Sequence, residues 1–133
     1  MSIKRLSIFA LVALASCGGG GFGPDSDAAY QQAVSAANNK ESEARTAGTA
    51  SPCAAAIQCR VLTFQSPTPT CPGLSYKPYS LVSPTAAAAS AAASEQNVLA
   101  RQSLALAPPS NGVCTAVVPP VPVLSCVANT CGA

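Results

Sequence analysis

Apolar and polar positions alternate in three rhythms along the chain. The first is an apolar run from Leu6 to Ala15 behind two basic residues, Lys4 and Arg5. It is too short to span a bilayer, and its basic start and apolar middle have the layout of a secretory signal. The second rhythm is helical. Tyr30, Ala33, Val34, Ala37 and Ala44 recur at helical spacings, while Gln31, Gln32, Asn38, Asn39 and Lys40 fall mostly between them. Asp25 or Ser26 can cap this helix, Asp27 meets the positive end of its dipole, and Gly48 offers a stop. Its small-residue stripe suits either close packing on a neighbour or a solvated stalk. A second helix runs from Ala86 to Leu106, after Ser83-Pro84-Thr85 and before Pro108-Pro109. Glu95, Gln96, Asn97, Arg101 and Gln102 interrupt it too often for a membrane span, and Val98, Leu99 and Leu106 are its expected larger contacts.

The third rhythm is that of strands. Cys59 to Gln65 is rich in β-branched and aromatic residues, and Tyr76 to Val82 follows after a proline-stiffened loop. Pro78 lacks an amide donor, which makes the second strand an edge or a bulged one. Val113 to Val118 reads as a third strand. Pro119-Pro120-Val121-Pro122 favours polyproline geometry and interrupts the ladder, which Val123 to Val127 resumes. The expected fold is α+β: one small, mainly antiparallel sheet of three to four strands, with one or two alanine-rich helices.

The residues after the first apolar run add an address. Leu14-Ala15-Ser16-Cys17, followed by Gly18-Gly19-Gly20-Gly21, resembles the lipobox of bacterial lipoproteins. That resemblance covers the first seventeen residues and implies removal of residues 1–16, then lipidation of Cys17 by palmitate-like acyl chains. Two or three chains hold stably where one binds marginally. Residues 17–24 become a glycine-rich tether, residues 25–48 the helix or stalk, and residues 51–133 a small domain. An aspartate after the lipidated cysteine favours retention in the inner membrane in such lipoproteins. Gly18 stands there instead, which implies an outer-membrane anchor, with the domain in the periplasm or at the cell surface.

Charge and cysteines narrow the chemistry. The chain carries +2, but Lys4 and Arg5 belong to the leader, and the five remaining cations balance five acids. A basic nucleic-acid face is therefore not available. With no Trp and an alanine-heavy apolar fraction the core is poor in large side chains. Six cysteines beyond Cys17 answer that need: Cys53, Cys59, Cys71, Cys114, Cys126 and Cys131 form an expected three-disulfide framework in an exported domain. Six cysteines allow fifteen connectivities; the one expected here joins the local pairs Cys53–Cys59 and Cys126–Cys131, with Cys71–Cys114 as the long link. The chain has no histidine, so Ser–His and Cys–His nucleophile pairs and mixed metal sites are absent. Glu95 is the only acid outside the first helix, so a carboxylate pair needs that helix to fold over.

No catalytic residues, cofactor or metal site are expected from these patterns. The expected role is that of a membrane-anchored, non-enzymatic binding or structural module of the envelope. Its candidate surface is Tyr76, Lys77 and Tyr79 beside the proline loop, facing an envelope protein. A thiol-redox or metal-handling lipoprotein that uses the six cysteines is the competing reading.

Overall fold

Alanine lets helices approach closely, and the fold is organised around one such approach. The computed structural model describes residues 24–69, 73–109 and 118–133. Helix α1, Pro24–Ala47, and helix α2, Ala86–Leu106, pack along one another. Between them in sequence lies an antiparallel hairpin of β1, Cys59–Gln65, and β2, Leu74–Ser80. Tyr30, Ala37 and Ala44 are buried on α1 at heptad spacing. Against them α2 buries Ala89, Ala92, Ala93, Gln96, Ala100 and Ser103. Ala37, Ala44, Ala89 and Ala100 are fully inaccessible, which requires the two backbones to lie close. The larger apolar residues that the sequence offers for this contact turn outward instead: Val98 and Leu106 remain more than two-fifths exposed. A seam of methyl groups has no room for them.

The hairpin lays one face on the helix pair. Leu62, Phe64 and Tyr79 join Ala44, Ala89, Ala92 and Ala93 in a single buried cluster. Since Ala44 belongs to this cluster, α1 is packed into the core rather than standing apart as a stalk. Gly48 ends α1 without a positive φ. A Cβ there would lie 3.2 Å from the Ala44 oxygen and 3.3 Å from Leu62 Cδ1, so any side chain at this position is crowded and its neighbours would have to give by a few tenths of an ångström. Thr85, at the start of α2, donates its hydroxyl to the Ala47 oxygen at 2.6 Å and so fastens the end of one helix to the beginning of the next.

Strand β1 matches the expected span, whereas β2 begins two residues earlier than expected, at Leu74. The bonds Ser66 N–H to Gly73 O and Leu81 N–H to Gln58 O fix the alternation of the ladder. Pro78 faces Val61 in a pair that exchanges no backbone bonds, so its missing amide costs the hairpin nothing. A separate hairpin follows, β3, Ser125–Val127, and β4, Thr130–Gly132, with Ala128 and Asn129 both at positive φ in its two-residue turn. The described residues thus hold two sheets of two strands, and not one sheet of three or four. The expected strand at Val113 to Val118 falls mainly outside the described residues, and Val118 itself is in no strand.

Candidate functional site

Residue parity along β2 decides which side chains can act together. Ser75 and Lys77 point towards α1 and Tyr79 towards the buried cluster, whereas Tyr76 points to the opposite face. There its hydroxyl donates to the Pro119 oxygen at 3.1 Å and ties down the proline segment. Tyr79 is only 8% exposed. The expected surface of Tyr76, Lys77 and Tyr79 is therefore divided: one residue anchors a neighbouring segment, one fills the core, and Lys77 alone remains at a recess. Alternation along the strand separates Tyr76 from Lys77 and Tyr79, and the overlying helices then cover Tyr79.

Lys77 lines an open groove of about 470 Å³ between α1 and β2, with Asn38, Glu41, Ser42, Arg45, Thr46 and Thr49. Arg45 is fixed within it. Its guanidinium lies 4.6 Å from the centre of the Phe64 ring, donates to Glu41 Oε1 at 2.7 Å and to Ser75 Oγ at 2.8 Å. Glu41 thus neutralises Arg45, and among the described residues no acid pairs with Lys77, in a groove otherwise lined by hydroxyl and amide groups. Such a lining suits a polar or anionic group. Nothing in the sequence marks this groove in advance, because five of its seven residues lie on α1, where they repeat the polar face of any surface helix.

The acids do meet across the helices. Lys40 Nζ bridges Glu43 at 2.8 Å and Glu95 at 2.9 Å, so α1 folds over and brings a second carboxylate beside Glu95. Both carboxylates are more than half exposed and share the lysine. The hydrogen bond that Lys40 donates to Glu43, with that to Glu95, raises its pKa to about 12. The arrangement is a surface staple between helices.

The densest chemistry lies at the cysteines. Disulfides join Cys53 to Cys126 and Cys59 to Cys131, each spanning more than seventy residues. The expected local pairs, Cys53–Cys59 and Cys126–Cys131, are not formed. Cys126 and Cys131 sit opposite one another across β3 and β4, yet each bonds instead to a cysteine at or before the start of β1. Backbone bonds also hold the two sides together. Cys53 N–H donates to Asn129 O at 3.1 Å, Cys131 N–H donates to Ser51 O at 2.9 Å, and Pro52 bridges Thr130. The sulfurs of Cys53, Cys59 and Cys131 all lie within 4.8 Å of one another, and all three residues are buried. Cys17, Cys71 and Cys114 lie outside the described residues, and with them the expected lipidation site and the expected Cys71–Cys114 link.

No protein family, curated protein or solved structure matches this chain. What it does must therefore be argued from its own residues.

Proposed function

We propose that the chain is a membrane-anchored envelope lipoprotein that acts as a non-enzymatic binding or structural module. The observation that carries this reading is Leu14-Ala15-Ser16-Cys17 standing just ahead of a helix that belongs to the core. Seven residues lead from Cys17 to Pro24, which at full extension reach about 25 Å. An acyl group on Cys17 would therefore hold the start of α1 near the lipid surface. With a rise of about 1.5 Å per residue, α1 then carries the Lys77 groove, which begins at Asn38, roughly 20 Å further out. The groove is the face offered to a partner, and Lys77 favours an anionic or hydroxyl-rich group on an envelope protein. Among the described residues no helix is long and apolar enough to cross a membrane, so the anchor in this reading is acyl alone. The sulfur cluster favours a second reading, thiol or metal chemistry, developed below.

Intact mass of protein extracted from membranes tests the anchor. The expected species begins at Cys17 and carries acyl chains, and Cys17→Ser abolishes them. A mass without lipid overturns the localisation. For the groove, Lys77→Glu should remove crosslinking to an envelope partner while leaving the thermal midpoint unchanged, and undiminished crosslinking would move the site elsewhere.

A further inference from the structure

We infer that the four sulfurs of Cys53, Cys59, Cys126 and Cys131 constitute a redox-gated site for a soft, tetrahedral divalent cation of the zinc class: oxidised they are two cystines, reduced they are four thiolate ligands around one ion. The inference needs neither the acyl anchor nor the Lys77 groove, so it stands or falls independently of the reading above.

Three observations carry it. First, sulfurs from two different disulfides crowd together, within 4.8 Å for Cys53, Cys59 and Cys131, with Cys126 bonded to Cys53. Four thiolates around zinc, each about 2.3 Å from the metal, lie about 3.8 Å from one another. Reaching that geometry asks for small side-chain movements once the S–S bonds are open. Second, backbone bonds bring the two sides together alongside the disulfides. The bridge of Pro52 with Thr130, the bonds of Cys53 and Cys131 to Asn129 and Ser51, and the pairing of β3 with β4 position Cys53, Cys126 and Cys131, and the pairing of β1 with β2 positions Cys59, so that a bound metal could take over the fastening from the S–S bonds. Third, Cys53, Cys59 and Cys131 are at most 7% exposed, which shields bound metal from water.

The chemistry balances. Two equivalents of a dithiol reduce the two cystines, each dithiol losing two electrons and two protons and leaving as its own disulfide, and four thiols result. Binding of one divalent cation displaces four protons and forms a complex of charge −2. Reoxidation by two equivalents of a disulfide, which take up four electrons and four protons and leave as thiols, restores the two cystines and releases the ion.

The test uses the chain from residue 17 onward with Cys17→Ser, Cys71→Ser and Cys114→Ser, so that only these four cysteines react. The disulfides are reduced anaerobically by a water-soluble phosphine, which takes an oxygen from water and leaves as its oxide. Cobalt(II) is then titrated in. The expected result is one ion per chain, thiolate-to-cobalt charge-transfer absorption with the visible bands of a tetrahedral site, and displacement by one equivalent of zinc. Native mass should show one metal gained and four protons lost. Cys126→Ser, which leaves three thiolates, should keep binding but shift the visible bands and weaken affinity at least tenfold. Where reduction loosens the fold, metal should restore the near-ultraviolet circular dichroism. Absence of charge-transfer bands, octahedral cobalt, bands unmoved by Cys126→Ser, or a reduced chain that metal does not refold would each overturn the inference.

Discussion

Gly48 and Ala128 show two opposite relations between a small side chain and its backbone. At Gly48 a methyl group would be pressed against the Ala44 carbonyl and Leu62 Cδ1, neither free to retreat. Gly48→Ala should lower unfolding free energy by roughly 1 kcal/mol despite the entropy it removes from the unfolded chain, as chemical denaturation would measure. At Ala128 the backbone holds φ at 49°, followed by Asn129 at 58°, the both-positive pattern of a type I′ turn. Alanine is poorly suited to that region and asparagine tolerates it. Ala128→Asn should therefore stabilise the hairpin by about 0.5 kcal/mol, read as a rise in melting temperature. Gly48 also shows how far local sequence can be read. It was legible as a helix stop, but its reason, a neighbouring strand, was invisible without the packing. The span of β1 needed only neighbours in sequence and was readable. The partners of the cysteines depended on which face each side chain took, and were not.

Among the elements, α2 does more than cover the sheet. The backbone groups of Thr63 and Gln65 that point away from β2 form an open strand edge, which is a hazard for unwanted pairing. Asn97 closes it by acting as a piece of strand: its Oδ1 accepts from Gln65 N–H at 2.8 Å and its Nδ2 donates to Thr63 O at 2.8 Å. Gln96 donates to Gln65 O at 2.7 Å, and Ser103 to Pro67 O at 2.6 Å. Asn97→Ala should cost about 2 kcal/mol and increase aggregation, seen by light scattering. Asn97→Asp should recover little, since an ionised carboxylate can accept from Gln65 but cannot donate to Thr63. The interhelical staple has a pH signature. Partners in the folded state raise the Lys40 pKa from 10.5 to about 12, so its contribution is fully present below pH 10.5 and is lost as pH rises through about 12. The difference in denaturation midpoint between the wild type and Lys40→Met should be flat from neutral pH to 10.5 and shrink as pH rises through about 12.

For the molecule as a whole, the crossed disulfides compensate for an alanine-lined core with little apolar area. In the chain-entropy model the first link, closing more than seventy residues, is worth about 4 kcal/mol. The second then closes only the short circuit through residues 53–59 and 126–131, and adds about 3 kcal/mol. Removing either pair alone should therefore leave much of the stability, while removing both should unfold the chain at moderate temperature. Peptide mapping without reduction should recover Cys53 with Cys126 and Cys59 with Cys131, and recovery of Cys53 with Cys59 would overturn the crossed connectivity. That connectivity also imposes an order in time. Cys53 and Cys59 are synthesised 73 and 72 residues before their partners. At roughly 5–20 residues per second, each must remain reduced for about 4 to 15 seconds, within easy reach of the other. The nascent chain therefore passes through a period in which its nearest oxidation product is the wrong one, and a cell that makes this protein well needs either late oxidation or an isomerase to undo the early bond.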